Sequence, residues 1–450
     1  MNIFEKKKTH FIGIGGIGMS ALAMILLDRG VPVSGSEKVP SEMTELLKKR
    51  GAEICIAHAP ENIEKASRVI FGSAIREDHP ELLAAKRRGL PLMHRSVFLA
   101  ELMRDKRALL VTGIHGKTTT TSLLAHALHV AGMHPSYAIG GISIIEGRNG
   151  KGDVGKDFVA EADESDGTFL HYSPFGAIMT NCDGDHFDYW KTTEALVEGF
   201  KTFARKVISE SHFFWCGDDP ALTSMHLSGF SYGFEPHNAL RIVQWKEEEW
   251  GERFSLSFQG RIWKEIVISL IGKHNVLNAA AVFGLGLQLG IEKEILYRAF
   301  REFRGIKRRM EYKGKANEIV FYDDYGHHPV EIQATIAALK RAIGNAQLVV
   351  AFQPHRYTRT LHCADLWKDA FRGADALILT DVYSAGEAPI DGVDHAFILN
   401  RVSIPKDPRY VSRKDLVAFF VDFLRPQDVL LTLGAGDITH LTTELLERLQ

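Results

Sequence analysis

The chain is poor in cysteine. Cys55, Cys182, Cys216 and Cys363 are far apart, and no two form a Cys-x-x-Cys pair. That excludes a disulfide framework and a zinc ribbon, and the expectation is four reduced thiols. It also lacks a surplus of either charge: 54 Lys and Arg stand against 56 Asp and Glu, a net charge of −2. A dedicated nucleic-acid binder would carry a basic excess, so no nucleic-acid partner is expected. Long apolar runs are missing too. The one candidate, residues 11–27 behind Lys6, Lys7 and Lys8, is broken by Gly13, Gly15, Gly16 and Gly18. Glycines weaken a helical apolar segment, so neither a leader peptide nor a bilayer span of ~20 residues is expected there. There is no internal repeat, low-complexity tract or Pro/Gly/Ser-rich linker. A cytoplasmic protein with no membrane partner is the expectation.

What is present is an ordinary globular balance, with 45% hydrophobic and 24% charged residues over 450 positions. At ~150 residues per domain that length predicts about three domains. Short apolar strands alternate with helical segments along the first hundred residues: strand 9–14, helix 18–29, strand 31–34, helix 42–50 and strand 68–71. Such alternation implies a parallel sheet covered by helices. A second unit opens near Lys106 with strand 107–112, a glycine-rich turn and helix 118–131. The stretch 212–271 is rich in Phe, Trp and Tyr with period-2 alternation, as in Phe254-Ser255-Leu256-Ser257-Phe258. This predicts antiparallel strands added to the parallel sheet. A third unit starts near Arg308 and repeats the strand–helix alternation. The expected architecture is therefore α/β in three domains. They are a Rossmann-like domain over 1–105, a central P-loop-type domain over 106–307 with added antiparallel strands, and a Rossmann-like domain over 308–450.

Two glycine loops carry the first chemical signal. Gly13-Ile14-Gly15-Gly16-Ile17-Gly18 follows a strand and opens a helix, and Glu37 lies 19 residues beyond Gly18. Glycines there allow a tight turn, the helix N-terminus offers N–H groups to a pyrophosphate, and the acidic residue suits a ribose hydroxyl. The loop fits a dinucleotide or a nucleotide-sugar equally well. The second loop, Thr112-Gly113-Ile114-His115-Gly116-Lys117-Thr118, resembles a P-loop in which Val111 replaces the first glycine. Its backbone N–H groups would cradle phosphates, Lys117 would reach the β/γ oxygens, and a Thr hydroxyl would meet Mg²⁺. A dehydrogenase explains only the first loop, and an NTP-driven switch only the second. An enzyme coupling ATP to a second nucleotide-bearing substrate uses both.

Two polar runs follow strands of the same unit. Glu161-Ala162-Asp163-Glu164-Ser165-Asp166 lies at a strand's C-terminal end, where open parallel sheets bind ligands, and offers hard oxygen donors to Mg²⁺. Asp185-His186, after strand 177–180, could complete a metal or phosphate site.

With these motifs in this order, the chain resembles the Mur ligase family. Further matching segments are 272–280, Lys307-Arg308-Arg309, Asp323-Asp324-Tyr325-Gly326-His327-His328-Pro329, Phe352-Gln353-Pro354-His355-Arg356-Tyr357-Thr358-Arg359, Ala385-Gly386-Glu387 and Gly434-Ala435-Gly436. The resemblance implies ATP-dependent amide formation through an acyl phosphate, with Mg²⁺ as cofactor. The implied substrates are UDP-N-acetylmuramate, through its lactyl carboxylate, and L-alanine. A branch of the family that adds a recycled tripeptide to the same sugar is the alternative.

The resemblance also assigns roles. It implies Lys117, His186, Arg309 and His328 as catalytic, and Thr118, Glu161 and His186 as metal ligands. The ATP site would take Gly113, Gly116, Lys117, Thr118, Thr119, Asn275, Asn278, Arg309 and Asp324. Substrates would meet Gly15, Gly16, Ile17, Gly18, Ser36, Glu37 and Ser73 on the sugar side, and His327, Arg356 and Arg359 on the amino-acid side. Glu37 stands where the family often has Asp, and Cys182-Asp183-Gly184 replaces an apolar–acidic pair. No modification of Lys201 is expected, and a monomer or weak homodimer is.

Overall fold

In a computed structural model of the chain, residues 6–183, 187–248 and 250–449 are described. The N-terminal sheet has five parallel strands in the order Glu53–Ile56, Val33–Glu37, Thr9–Ile12, Arg68–Phe71, Leu92–His94. Its central strand, Thr9–Ile12, is buried at all four positions. The helix Ile17–Asp28 that follows is buried at eight successive residues, Met19 to Leu26. A helix that is apolar all round needs cover on more than one side. It has its own sheet on one side and the central domain's strands Ser136–Ala138 and Gly150–Lys151 on the other.

That second contact is polar where it meets the helix's ends. The Asn149 side-chain amide donates to Ile17 O at 2.6 Å and to Ser20 Oγ at 3.0 Å. Arg148 pairs with Asp28 in the last turn. Between them Gly150 lies so close to Ala21 that a Cβ would collide with the helix backbone.

The central sheet has ten strands. Their order is Arg261–Ile268, Gly251–Phe258, Leu240–Glu248, Phe230–Gly233, Phe213–Cys216, Gly176–Met179, Arg107–Thr112, Asp157–Glu161, Ser136–Ala138, Gly150–Lys151. The expectation of antiparallel strands from residue 212 onward is corrected here. Phe213–Cys216 pairs in parallel with Gly176–Met179, Phe230–Gly233 in parallel with Phe213–Cys216, and Leu240–Glu248 in parallel with Phe230–Gly233. The aromatic run 213–216 belongs to a strand buried in the sheet, with Phe213 and Phe214 fully covered. Near-continuous apolar strands are what buried parallel sheets require. Only past residue 240 does the chain double back. Gln259 (φ 48°) and Gly260 (φ 73°) form the two-residue turn between Gly251–Phe258 and Arg261–Ile268, a connection short enough only for an antiparallel hairpin.

The chain divides into two compact units. One comprises 1–245, 254–267 and 277–304; the other comprises 246–253, 268–276 and 305–450. The second unit holds a six-stranded sheet ordered Glu311–Ala316, Ile319–Asp324, Val429–Leu433, Leu348–Phe352, Ala376–Leu379, Arg409–Tyr410, parallel except at its first pair. Phe352, Trp367 and Phe371 pack in one of its cores. Within the same unit Trp250 stacks on Tyr322 with ring centroids 5.9 Å apart.

Glu81 is fully buried beneath the N-terminal sheet's C-terminal edge. It accepts hydrogen bonds from Ser36 Oγ (2.7 Å), Asn62 Nδ2 (2.7 Å) and Ala59 N (3.2 Å), and lies 3.3 Å from His10 Nε2. Burial alone would raise its pKa, but His10, Ser36 and Asn62 outweigh that and hold it at about 2. A depressed carboxylate contributes stability that is present above its unfolded pKa of 4.5 and lost as pH falls through 2. Glu81→Gln is expected to cost ~3 kcal/mol near pH 7 and roughly half of that at pH 3. Urea unfolding of both proteins at the two pH values checks this.

Candidate active site

The first glycine loop is closed by Glu37. Its Oε2 accepts Gly15 N at 2.9 Å and its Oε1 accepts Lys38 N at 3.0 Å. The carboxylate therefore lies against the loop. Gly16 caps the helix Ile17–Asp28 with extended backbone, so the helix's first N–H groups point out of the loop, and Ile17 is exposed beside them. A Cβ on Gly18 would lie 3.0 Å from Arg95 Nη1. Ser36 holds this loop with its backbone, its carbonyl accepting Gly13 N at 2.9 Å and Ile14 N at 3.1 Å, while its hydroxyl turns away. It is buried and bonded to Glu81 and to His58 Nδ1, at 2.9 Å from the imidazole. Ser73 donates to Asp166 Oδ2 at 2.8 Å, and Arg95 Nη2 lies 3.6 Å from the same carboxylate. Ser73 and Arg95 of the N-terminal domain thus touch the acidic run of the central domain. Arg95 was missed in the sequence, where it carries no motif; it is the first residue of the helix Arg95–Met103.

The second loop is held open by its neighbours. Gly113 (φ 131°) presses so closely on Thr180 Oγ1 and the Asn181 backbone that no side chain fits. Gly116 adopts φ 82° and turns the chain into the helix Lys117–Val130. Asn181 Oδ1 accepts His115 N at 2.8 Å, while Thr180 Oγ1 and Asn181 Nδ2 donate to His115 O. Asn278, on the helix Lys273–Gln288, brings its side-chain oxygen to 3.1 Å from where a Gly116 Cβ would be. Thr118 and Thr119 sit in the first turn, Thr118 buried and Thr119 half-buried.

Lys117 is fully engaged. Its Nζ donates to Gly113 O (2.6 Å) and Ile114 O (3.2 Å) and lies 2.9 Å from both carboxylate oxygens of Glu164. Burial opposes the ammonium, but the carboxylates of Glu164, Asp163 and Glu161 outweigh it and raise its pKa above the ordinary lysine value. Burial pushes Glu164 up to about 7, against the pull of Lys117.

Thr118 Oγ1 and Glu161 Oε2 are 3.2 Å apart. Two hard oxygens at that spacing fit neighbouring positions of an octahedral Mg²⁺, a cation that takes one or two protein ligands and fills the rest with water and phosphate. Among the described residues no group of three or more His, Cys, Asp or Glu side chains converges as a metal cage. His186, with Gly184 and Asp185, lies outside the described residues.

The second unit gathers the later candidates at its strands' C-terminal ends. Asp324 ends Ile319–Asp324 and accepts Met310 N and Gly326 N, both at 2.7 Å. Burial lifts its pKa to about 6, against the pull of Arg309 and those two amides. Arg309 lies over the Tyr325 ring, 5.1 Å from its centroid. His328 is the N-cap of the helix Pro329–Ile343, its Nδ1 accepting Val330 N at 3.4 Å.

His327 and His355 face each other with ring centroids 5.7 Å apart. Burial pushes their pKa values down to about 4 and about 3, so both rings are neutral at pH 7. His355 Nδ1 lies 3.2 Å from Arg359 Nη1 and accepts from it. Arg356, at φ 67°, turns instead toward Glu387, 3.8 Å away. Asn275 is buried, in the part of its helix that belongs to the second unit, and donates to Ile271 O. His355 and Glu387 were passed over in the sequence, although both lie in segments that match the family.

Known proteins match along the whole chain. Residues 8–107 match the Mur ligase family catalytic domain, 111–286 the Mur ligase middle domain, and 308–436 the Mur ligase glutamate ligase domain. The UDP-N-acetylmuramate–L-alanine ligase of Protochlamydia amoebophila is 44% identical over 446 residues, covering 98% of each chain. The bifunctional MurC/Ddl enzyme of Chlamydia caviae is 42% identical over 437 residues, and this chain spans 54% of its length. The crystal structure of the UDP-N-acetylmuramate–alanine ligase of Thermotoga maritima superposes with a TM-score of 0.85 at 30% identity, over 98% of each chain. Its three α/β sheets, its two glycine loops and these relatives agree: the chain belongs to the Mur ligase family.

Proposed function

We propose that this protein joins L-alanine to the lactyl carboxylate of UDP-N-acetylmuramate in the cytoplasm, with hydrolysis of ATP to ADP and phosphate, as a step in peptidoglycan precursor synthesis. The observation that carries the reading is one of placement. In a single unit, Arg95 lies beside Gly18 of the glycine loop that Glu37 closes and pairs with Asp166 of the acidic run, whose other carboxylates meet Lys117 and Thr118. A full-length relative 44% identical and named an L-alanine ligase supports alanine over a tripeptide as the second substrate.

The chemistry asks for positioning and charge neutralisation rather than a protein nucleophile. The substrate carboxylate attacks the γ-phosphoryl group and ADP leaves. The amine then attacks the acyl phosphate and phosphate leaves. In the proposal Lys117 and the amides of Gly113–Thr119 bind the ATP phosphates, and Asn275 and Asn278 the adenine side. Arg309 and Asp324 meet phosphates and ribose. Thr118 and Glu161 would hold the ATP-linked Mg²⁺ and His186 a second Mg²⁺, and these ions would spread the charge of the transferring phosphoryl group. Gly15, Gly16, Ile17 and Gly18 offer helix N–H groups to the sugar's pyrophosphate, and Glu37 accepts from its nucleoside. Ser36 fixes the end of its strand through Glu81, and Ser73 borders the sugar.

On the third domain, Arg359, oriented by neutral His355, suits the alanine carboxylate, with His327 and Arg356 beside it. His328 orients the helix behind them. The segments 1–105, 106–307 and 308–450 divide these tasks as sugar, ATP and amino-acid domains.

Phosphate release is expected only when ATP, Mg²⁺, UDP-N-acetylmuramate and L-alanine are all present. A tripeptide that replaces alanine with equal kcat/KM would favour the recycling reaction instead. Lys117→Ala is expected to abolish amide formation, with kcat down at least ~10³-fold, while calorimetry still detects UDP-N-acetylmuramate. Ligation retained in that variant sinks the assignment. Glu161→Gln is expected to raise the Mg²⁺ concentration for half-maximal rate ~10-fold or more, read from a Mg²⁺ titration at saturating ATP.

A further inference from the structure

Glu164 stands apart from the other carboxylates of its run. Glu161 is bonded to Thr118 and Gly140 N, and Asp166 to Ser73 and Thr168. Glu164 is fully buried and sets both oxygens 2.9 Å from Lys117 Nζ. An ammonium has three protons to donate. Here they are shared among Gly113 O, Ile114 O and the Glu164 carboxylate, so a phosphate oxygen reaches Lys117 only by displacing one of them. The two loop carbonyls are part of the loop's own backbone, which leaves Glu164 as the exchangeable partner. Its main chain cannot follow, because Glu164 O accepts both Trp190 Nε1 (2.9 Å) and Gly167 N (3.1 Å).

We propose that Glu164 is a positioning residue that stands in for phosphate. Its carboxylate holds the Lys117 ammonium at the loop, yields it to the nucleotide, and thereby sets nucleotide affinity. This rests on the nucleotide reading of the second loop. Two effects act in the same direction. Breaking the pair on binding leaves Glu164 buried without its cation, and the cost of keeping that charge or of taking up a proton in its place weakens the complex and favours departure of ADP. Keeping the pair in the free protein neutralises two buried charges, either of which would be costly alone.

The test compares the full chain with Glu164→Gln, using Mg·ADP in calorimetry and thermal unfolding. The variant is expected to bind ADP at least ~10-fold more tightly and to show a lower KM for ATP without a gain in kcat. Its Tm is expected to be lower when free, with a larger ADP-induced rise. In a Lys117→Ala background the same substitution is expected to tighten ADP binding much less, because there is no pair left to break; an equal gain in both backgrounds overturns the exchange. A purely structural role lowers Tm with and without ADP alike and leaves the affinity where it was; that result, or weaker ADP binding, overturns the proposal. If Glu164→Gln does not fold, Glu164→Asp, with its carboxylate drawn back by one methylene, is expected to tighten ADP binding in the same sense. Unchanged or weaker binding by that variant is equally fatal. A wild-type chain that binds no ADP overturns the nucleotide reading, and this proposal with it.

Discussion

A buried asparagine ties the two glycine loops into one body. Asn149 reaches from the central domain into the first turn of the helix that begins at the first loop, and satisfies both Ile17 O and Ser20 Oγ. Arg148 secures the other end of that helix through Asp28, and Gly150 allows the strand to lie on its backbone. Phosphate recognition by backbone N–H groups needs the donors fixed before the ligand arrives. Here the first loop is fixed by a polar contact from a neighbouring domain, and the second by Thr180 and Asn181 of its own sheet. Everything the unit can do with two phosphate-bearing ligands depends on those anchors.

Much of this was legible in the sequence. The glycine spacing, the strand before each loop and the helix after it predicted both loops and their elements; the helix expected over 118–131 runs from Lys117 to Val130. The parallel sheets followed from the strand–helix alternation. Less legible was the aromatic stretch from 213, because a strand buried on both faces and an alternating strand share the same residue types. The pairing that decides between them is set by non-local neighbours. Among the site residues, composition marked the run 161–166 as acidic but could not separate Glu161 from Glu164. Which carboxylate meets Thr118 and which meets Lys117 depends on where the strand Asp157–Glu161 ends and the chain turns. The sequence sets Ser36 beside the first loop but not the direction of its hydroxyl, which bonds Glu81 and His58 while its carbonyl accepts from Gly13 and Ile14. Arg95 was invisible for a related reason, its partner Asp166 being 71 residues further along the chain, whereas His355 stood in a matching segment with its partner Arg359 four residues on.

The near-neutral net charge also gains a local meaning. The strongest electrostatic groups near the loops are internally paired, Lys117 with Glu164 and Arg95 with Asp166, and within the second unit Arg356 pairs with Glu387. Such pairing balances the total while keeping cations where anions are to bind. It also makes each cation's availability a matter of exchange rather than of charge count. Neutral His355 extends the same logic, because an uncharged acceptor can aim the Arg359 guanidinium without cancelling it.

The helix Ile17–Asp28 has a consequence for how the chain is made. Its outer face is as apolar as its inner one, and the cover for that face comes from residues 136–151. During synthesis the first sheet emerges from the ribosome with that face bare, and it stays bare until the later strands follow. The cover of the N-terminal domain's central helix is thus completed only after the central domain's first strands have been made. Separating the gene at the first domain boundary would leave two soluble-looking halves that each expose a matching sticky surface.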